Sequence, residues 1–306
     1  MLDPRRLQCL YAVHVHGSVL DAALELGLTS SAVSQQIGKL EREVGAQLLE
    51  RAGRGVVLTD AARILVEAAE EISAATDRAT ARLEDLRHDL SGTLRVSSFP
   101  SIIGPFVAPT LARMKADAPG LHIHLHEMFP ERGREAVVGG HIDVALIHLW
   151  GDARPALPQG FTSTVVADDP IEVLLPSTHP FAGRDEVALA DLVDDVWVTD
   201  DLEGFCRGWL VRRMSALGRR PRIDHLVDEI AGQLALVSAG LCNALLPRIA
   251  FGHVPPSIRS VPLVGETPFR RLHLLYRESA ADRPALRRFV TELESRVSGS
   301  WTAPKE

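Results

Sequence analysis

Apolar residues in the first 60 positions recur at helical spacing. Leu7, Leu10, Tyr11 and Val15 share one face of a helix predicted over Pro4 to Val15. Ser18, with Asp21 three residues later, forms a capping box and predicts a short helix from Val19 to Glu25. Gly27 suits the left-handed residue that closes it. Thr29 or Ser30 then caps a third helix, Ser31 to Val44, with Val33, Ile37, Leu40 and Val44 as its apolar stripe. Its other face carries Ser34, Gln35, Gln36 and Lys39. Two short helices joined by a tight turn containing Gly, the second showing amides and hydroxyls to solvent, read as a helix-turn-helix. A helical subdomain with a merely solvated polar face is the competing reading.

Two glycines in Ala52 to Thr59 predict a small hairpin with Arg51 and Arg54 at its tip or base, a wing able to reach the DNA backbone or minor groove. Thr59-Asp60 caps a long helix to about His88. Its Leu65, Ala68, Ile72, Ala75, Ala79 and Leu86 follow a seven-residue repeat, broken at Arg82. So narrow a seam predicts pairing with a second chain, with packing on the chain's own body as the alternative. After Ser91-Gly92-Thr93 strands and helices alternate. Strands are predicted at 94–97, 121–126, 144–147, 171–175, 196–198, 243–246 and 272–276, and helices at 102–116, 132–139, 205–217, 229–239 and 284–297. That alternation implies an α/β class with parallel sheets and crossover helices.

Composition changes this picture little. With 306 residues, 46% of them hydrophobic and 24% charged, there is room for two to three globular domains. No membrane span or signal-peptide layout is apparent, which predicts a cytoplasmic protein. Cys9, Cys206 and Cys242 are scattered and odd in number, as expected of free thiols. The net charge of −7 argues against indiscriminate coating of nucleic acid. Residues 1 to 60 hold six Lys plus Arg and seven Asp plus Glu, so attraction to DNA must come from placement. Glutamine amides suit base edges, and Ser and Lys suit phosphates.

Gly17-Ser18, Ala22-Ala23, Leu26, Ser31 to Ile37, Leu40-Glu41, Gly45, Leu48, Glu50-Arg51 and Leu58-Thr59 together resemble the DNA-binding domain of LysR-type transcriptional regulators. Further matches at Gly140, Asp143 to Ile147, His179 to Ala182, Ala239 to Leu241 and Leu246-Pro247 extend the resemblance over the whole chain. Leu49, Ser31, Ala61-Ala62 and Cys242 depart modestly from the family pattern. The resemblance implies an N-terminal winged helix-turn-helix (1–59), a long linker helix that dimerises (60–90), and a two-subdomain effector domain similar to periplasmic binding proteins (91–306). Subdomain I would be 93–164 and 266–306, and subdomain II 165–265. It further implies DNA contacts from Ser31, Ser34, Gln35, Gln36, Lys39, Arg51 and Arg54, promoter DNA as partner, and a dimer or tetramer. The alternative from another class is a cytoplasmic small-molecule-binding or enzyme domain with an incidental helical head.

For an effector, Ser97 to Ser101 places hydroxyls and backbone N–H groups at a predicted helix N-terminus, which favours a carboxylate. Simple capping by the same serines is the plainer reading. Position in the family points to Ser101, then Ser98, with Met128, Phe129, His148, Thr199, Asp200 and Asp228 around the cleft. None of these is an arginine clamp, so a neutral or amine-bearing ligand stays open. His122, His124 and His126 share a strand face, but at about 7 Å spacing and without a thiolate or carboxylate they are not expected to hold a metal. Cys206 resembles the reactive cysteine of peroxide-sensing members of the family, yet no resolving cysteine follows before Cys242. No phosphate loop, nucleophile elbow or zinc signature occurs, so neither an enzyme nor a cofactor is expected.

Overall fold

The computed structural model describes residues 2–52, 55–86, 90–200, 205–265 and 267–300. The head opens with α1 (Pro4–His16), which Asp3 caps by accepting from Arg5 N at 2.9 Å. In α2 (Val19–Glu25), the Ser18 hydroxyl accepts from Asp21 N at 3.0 Å and donates a hydrogen bond to the Asp21 carboxylate. Thr29 is the residue that caps α3 (Ser30–Val44), accepting from Ala32 N at 3.1 Å. Cys9, Val13, Ala22, Ala23, Val33 and Ile37 close the space between these helices. The wing is the antiparallel pair β1 (Leu49–Ala52) and β2 (Gly55–Leu58).

The 27-residue helix α4 (Asp60–Leu86) follows, roughly 40 Å long. Its seam divides. Leu65 and Val66 are buried against Leu7, Leu10 and Tyr11, whereas Ile72 and Leu83 are 44% and 61% exposed and Ala75 and Ala79 are also open.

In the body, β3 (Gly92–Ser98) leads into α5 (Pro100–Ile102), a π turn at Ile103–Val107 and α6 (Ala108–Asp117). One continuous helix was expected here. Pro105 lacks the N–H that an α-helix would use, and the hydrogen bonding shifts by one residue around it, with Ala108 N–H on Ile103 O. Next come β4 (Leu121–Glu127), α7 (Pro130–Val138), β5 (Val144–Trp150) and β6 (Phe161–Pro176). The second half adds β7 (Val196–Thr199), α8 (Phe205–Ala216), β8 (Arg222–Leu226), α9 (Ile230–Ser238), β9 (Asn243–Pro247), α10 (Arg248–Phe251) and β10 (Ile258–Val261). The chain returns through β11 (Phe269–Arg277) and ends the described region with α11 (Pro284–Ser300).

The strand order is β4-β3-β5-β11-β6-β9-β7-β8, with β10 also on β6. β3 runs parallel to β4 and β5, and β7 runs parallel to β8 and β9. The sheet is therefore mixed, not wholly parallel, because β6 and β11 cross between the halves antiparallel to each other. β6 pairs with β11 over Phe161–Pro170, then with β9 and β10 over Ile171–Pro176. The first half packs Leu94, Val96, Met114, Leu146 and Phe289 on one sheet face. In the second, Trp197, Leu210 and Met214 cover one face and Val237, Leu246 and Phe251 the other.

The head rests on the first half. Leu7, Tyr11 and Leu65 join Val137, Val138, Ile142 and Phe161 in one cluster. Arg277 donates to Val138 O at 3.1 Å and meets the Ser73 hydroxyl of α4. Gly140, with φ +79°, lies beneath it, and a Cβ there would come 2.7 Å from Arg277 Nη2.

Candidate functional site

The third helix separates its two faces cleanly. Val33, Ile37 and Leu40 are buried, while Ser31, Ser34 and Gln35 are exposed and Gln36 and Lys39 half-buried. These five residues rise from one side of a helix whose other side is fixed to α1 and α2. A groove of about 330 Å³ runs between Ser34 and Gly38 on this helix and Leu49, Glu50 and Val56 of the wing. Arg51 lies on β1, and Arg54 lies outside the described residues.

The effector residues expected from sequence do not all meet. Ser98 is buried at the end of β3, and its hydroxyl donates to Phe99 O at 3.3 Å. The N-cap of α5 is Phe99, without a side-chain cap bond, so neither Ser98 nor Ser101 caps that helix. Ser101 is half-buried on the single turn that follows. Met128 packs with the cluster of Ala136, Ala145 and Ile147, and Phe129 is 58% exposed ahead of α7. Thr199 ends β7 with its hydroxyl on Asp200 O at 3.1 Å, and Asp228 is exposed beyond β8. Residues 201–204 lie outside the described residues.

Around His148 the structure assembles a group that the sequence did not single out. The Phe99 ring meets His148 edge-on at 4.6 Å, and His148 meets Trp150 edge-on at 5.6 Å. Trp150 stacks on Phe205 at 3.9 Å with planes 5° apart. The guanidinium of Arg270 lies 5.1 Å from the Phe99 ring centroid. Arg270 is the cross-strand neighbour of both Trp150 and Asp169. Its Nε donates to Asp169 Oδ2 at 2.8 Å, and Asp169 Oδ1 accepts from Ile249 N at 2.9 Å. Arg270 Nη2 and His148 Nδ1 are buried without a hydrogen-bond partner. Burial, and then the Arg270 charge, lower the pKa of His148 to about 3, so the ring is neutral. An arginine thus stands in the cleft after all, supplied by the returning strand.

Cys206 sits beside this group, and burial, followed by the Asp200 charge, raises its thiol pKa to about 12. His122, His124 and His126 lie on β4, opposite Thr93, Arg95 and Ser97, and are exposed. Among the described residues no group of three or more His, Cys, Asp or Glu is placed to hold a metal ion. Among the same residues no helix is long and apolar enough to cross a membrane.

Two family models match. The bacterial regulatory helix-turn-helix protein, lysR family, covers residues 4–63, and the LysR substrate binding domain covers residues 87–298. The HTH-type transcriptional regulator YnfL of Escherichia coli (strain K12) is 30% identical over 306 residues, spanning 95% of this chain and 98% of that protein. A probable hydrogen peroxide-inducible genes activator of Mycobacterium avium is 30% identical over 282 residues, 90% of this chain and 88% of that one. Full-length OxyR from Pseudomonas aeruginosa superposes with a TM-score of 0.60 at 21% identity over 97% of this chain and 95% of that one. CbnR in complex with its target DNA gives 0.54 at 22% identity, covering 96% and 100%. A helix-turn-helix head and an effector-binding α/β body, each matched along nearly its full length, place the chain in the LysR family of DNA-binding transcriptional regulators.

Proposed function

We propose that two copies of this chain, in the cytoplasm, read a two-fold-related promoter site and change their hold on it when a small molecule enters the body. The head (1–59) supplies Gln35 and Gln36 to base edges in the major groove. Ser31, Ser34 and Lys39, with Arg51 and Arg54 of the wing, take phosphates. The observation that carries this reading is the division of the third helix, with its apolar face consumed by the head's own core and its amide face left to solvent. The linker helix (60–90) pairs the copies through Ile72, Ala75, Ala79 and Leu83, which stay open to solvent in the single chain.

The effector enters between subdomain I (93–164 and 266–306) and subdomain II (165–265), where it would meet Ser101, His148, Thr199, Asp200 and Arg270. Both crossing strands pass through this junction, so a ligand bound there changes the relation between the halves. Footprinting on the chain's own upstream region tests the reading. Two protected half-sites in successive major grooves are expected, and protection that does not survive competitor DNA overturns it.

A further inference from the structure

Of the four rings in the cleft, two make the contact that spans the halves. Trp150 is the last residue of β5 in the first half, and Phe205 is the first residue of α8 in the second. Their planes lie 5° apart with centroids at 3.9 Å. A parallel stack between two separately anchored rings is a closed slot. Moving the halves apart by about 3.5–4 Å, one further ring-to-ring contact, would admit a third flat ring and nothing thicker.

The charge at the base of the slot is also defined. Arg270 is the cross-strand neighbour of Trp150 and is 4% exposed. Nε is taken by Asp169, while Nη2 has no partner. His148 is neutral and adds no charge. One unpaired guanidinium amino group beside an already neutralised ion pair suits a monoanion. A second negative charge on the ligand would face the Asp169 carboxylate.

We propose, building on the effector-cleft reading above, that the effector is a planar aromatic carboxylate: its ring enters between Trp150 and Phe205 and its carboxylate accepts from Arg270 Nη2. The aromatic ring replaces the Trp150–Phe205 contact with two new ones, and the wedge it forms is what separates the halves. The ligand class and the conformational signal therefore have one origin.

Calorimetry and tryptophan emission on the full chain test this with benzoate, 2-naphthoate and indole-3-acetate as probes. Cyclohexanecarboxylate, which keeps the charge but not the flat ring, and benzamide, which keeps the ring but not the charge, are the controls. At least one aromatic acid should bind saturably and alter the emission, with both controls about tenfold weaker or more. Phe205→Leu should weaken that acid about 3- to 10-fold. Arg270→Gln should abolish the preference for acid over amide, a loss of roughly 10- to 100-fold. Because Arg270→Gln leaves Asp169 without its counter-charge, Phe205→Leu and Trp150→Leu, which leave the ion pair intact, decide the matter if that variant does not fold. Equal binding of benzoate and cyclohexanecarboxylate, no saturation by any aromatic acid at millimolar concentration, or full affinity in both ring variants overturns the proposal. Footprinting without ligand separates the two levels: protected DNA with no aromatic-acid binding refutes this inference alone, and acid binding with no protected DNA refutes the regulator reading.

Discussion

Arg270 and Asp169, 101 residues apart in sequence, form an ion pair at 2.8 Å with side chains 5% and 0% exposed. Both lie on the strands that cross between the halves. Removing one partner strands the other charge in a place water does not reach. Asp169→Ala should therefore destabilise the protein by about 3–5 kcal/mol. Replacing both residues together with apolar ones of similar volume, Asp169→Leu with Arg270→Met, should recover most of that loss. Urea unfolding of the two single variants and the double variant reads the cycle. A double variant as unstable as the sum of the singles would show that the pair is not the coupled unit its geometry indicates.

His148 gives the stability a definite pH dependence. In the fold its pKa is lowered to about 3, first by burial and then by the Arg270 charge, against 6.5 in an unfolded chain. His273 is lowered too, by burial first and then by the Arg271 charge. Between those values the unfolded chain binds protons that the folded chain refuses, so this stability is present above about pH 6.5 and is lost as pH falls toward the folded pKa. Each such group contributes at most about 1.4 kcal/mol per pH unit. His148→Gln should flatten the stability curve by about 1 kcal/mol per pH unit between about pH 6 and pH 4.5. Urea midpoints across that range check it, and an unchanged slope would mean that the ring titrates freely.

The head could be read from the sequence because its signals are local. Ser18, Thr29 and the third-helix stripe act within one or two turns, where capping and a period of 3.6 decide the outcome. The cleft could not be read that way. Phe99, His148, Trp150, Phe205 and Arg270 come from four separate stretches, which strand pairing and the placement of α8 bring together. In the serine segment the Ser98 hydroxyl bonds the Phe99 carbonyl, and the turn that follows has no side-chain cap. The apolar run marks β6 only over 171–175, because Asp168-Asp169-Pro170 interrupts it. Those acids are paired with Arg271 and Arg270 of β11, which makes their place in the strand intelligible only once β11 is beside it.

On DNA, the third helix predicts two different mutational signatures. Gln36→Ala should cost about 1–3 kcal/mol at the cognate half-site and little on random sequence, because a base-edge bond is lost. Lys39→Ala should weaken both alike and reduce the slope of log affinity against log salt by about 1. Fluorescence anisotropy with specific and scrambled duplexes at several salt concentrations distinguishes them. Equal loss on both duplexes for Gln36→Ala would assign that residue to the backbone instead.

Cys206 tests whether this cleft senses oxidants. The thiol is the form the fold holds, with its pKa raised to about 12 by burial and then by Asp200, and Cys242 is raised to about 11 by burial. A thiol raised so far stays protonated at neutral pH, and the thiolate is the nucleophile that attacks peroxide or an alkylating agent. Cys9, raised by burial and then by Asp3, is likewise buried in the head. Iodoacetamide at pH 7 should therefore label Cys206 at a negligible rate in the folded protein and readily in urea, with mass spectrometry of the tryptic peptide as the readout. Hydrogen peroxide should leave DNA affinity unchanged, and Cys206→Ser should behave as the parent chain does. Rapid labelling of Cys206 in the folded state, or a peroxide-dependent footprint that Cys206→Ser abolishes, would instead place the thiol in a second, open conformation of the cleft and make oxidation its input.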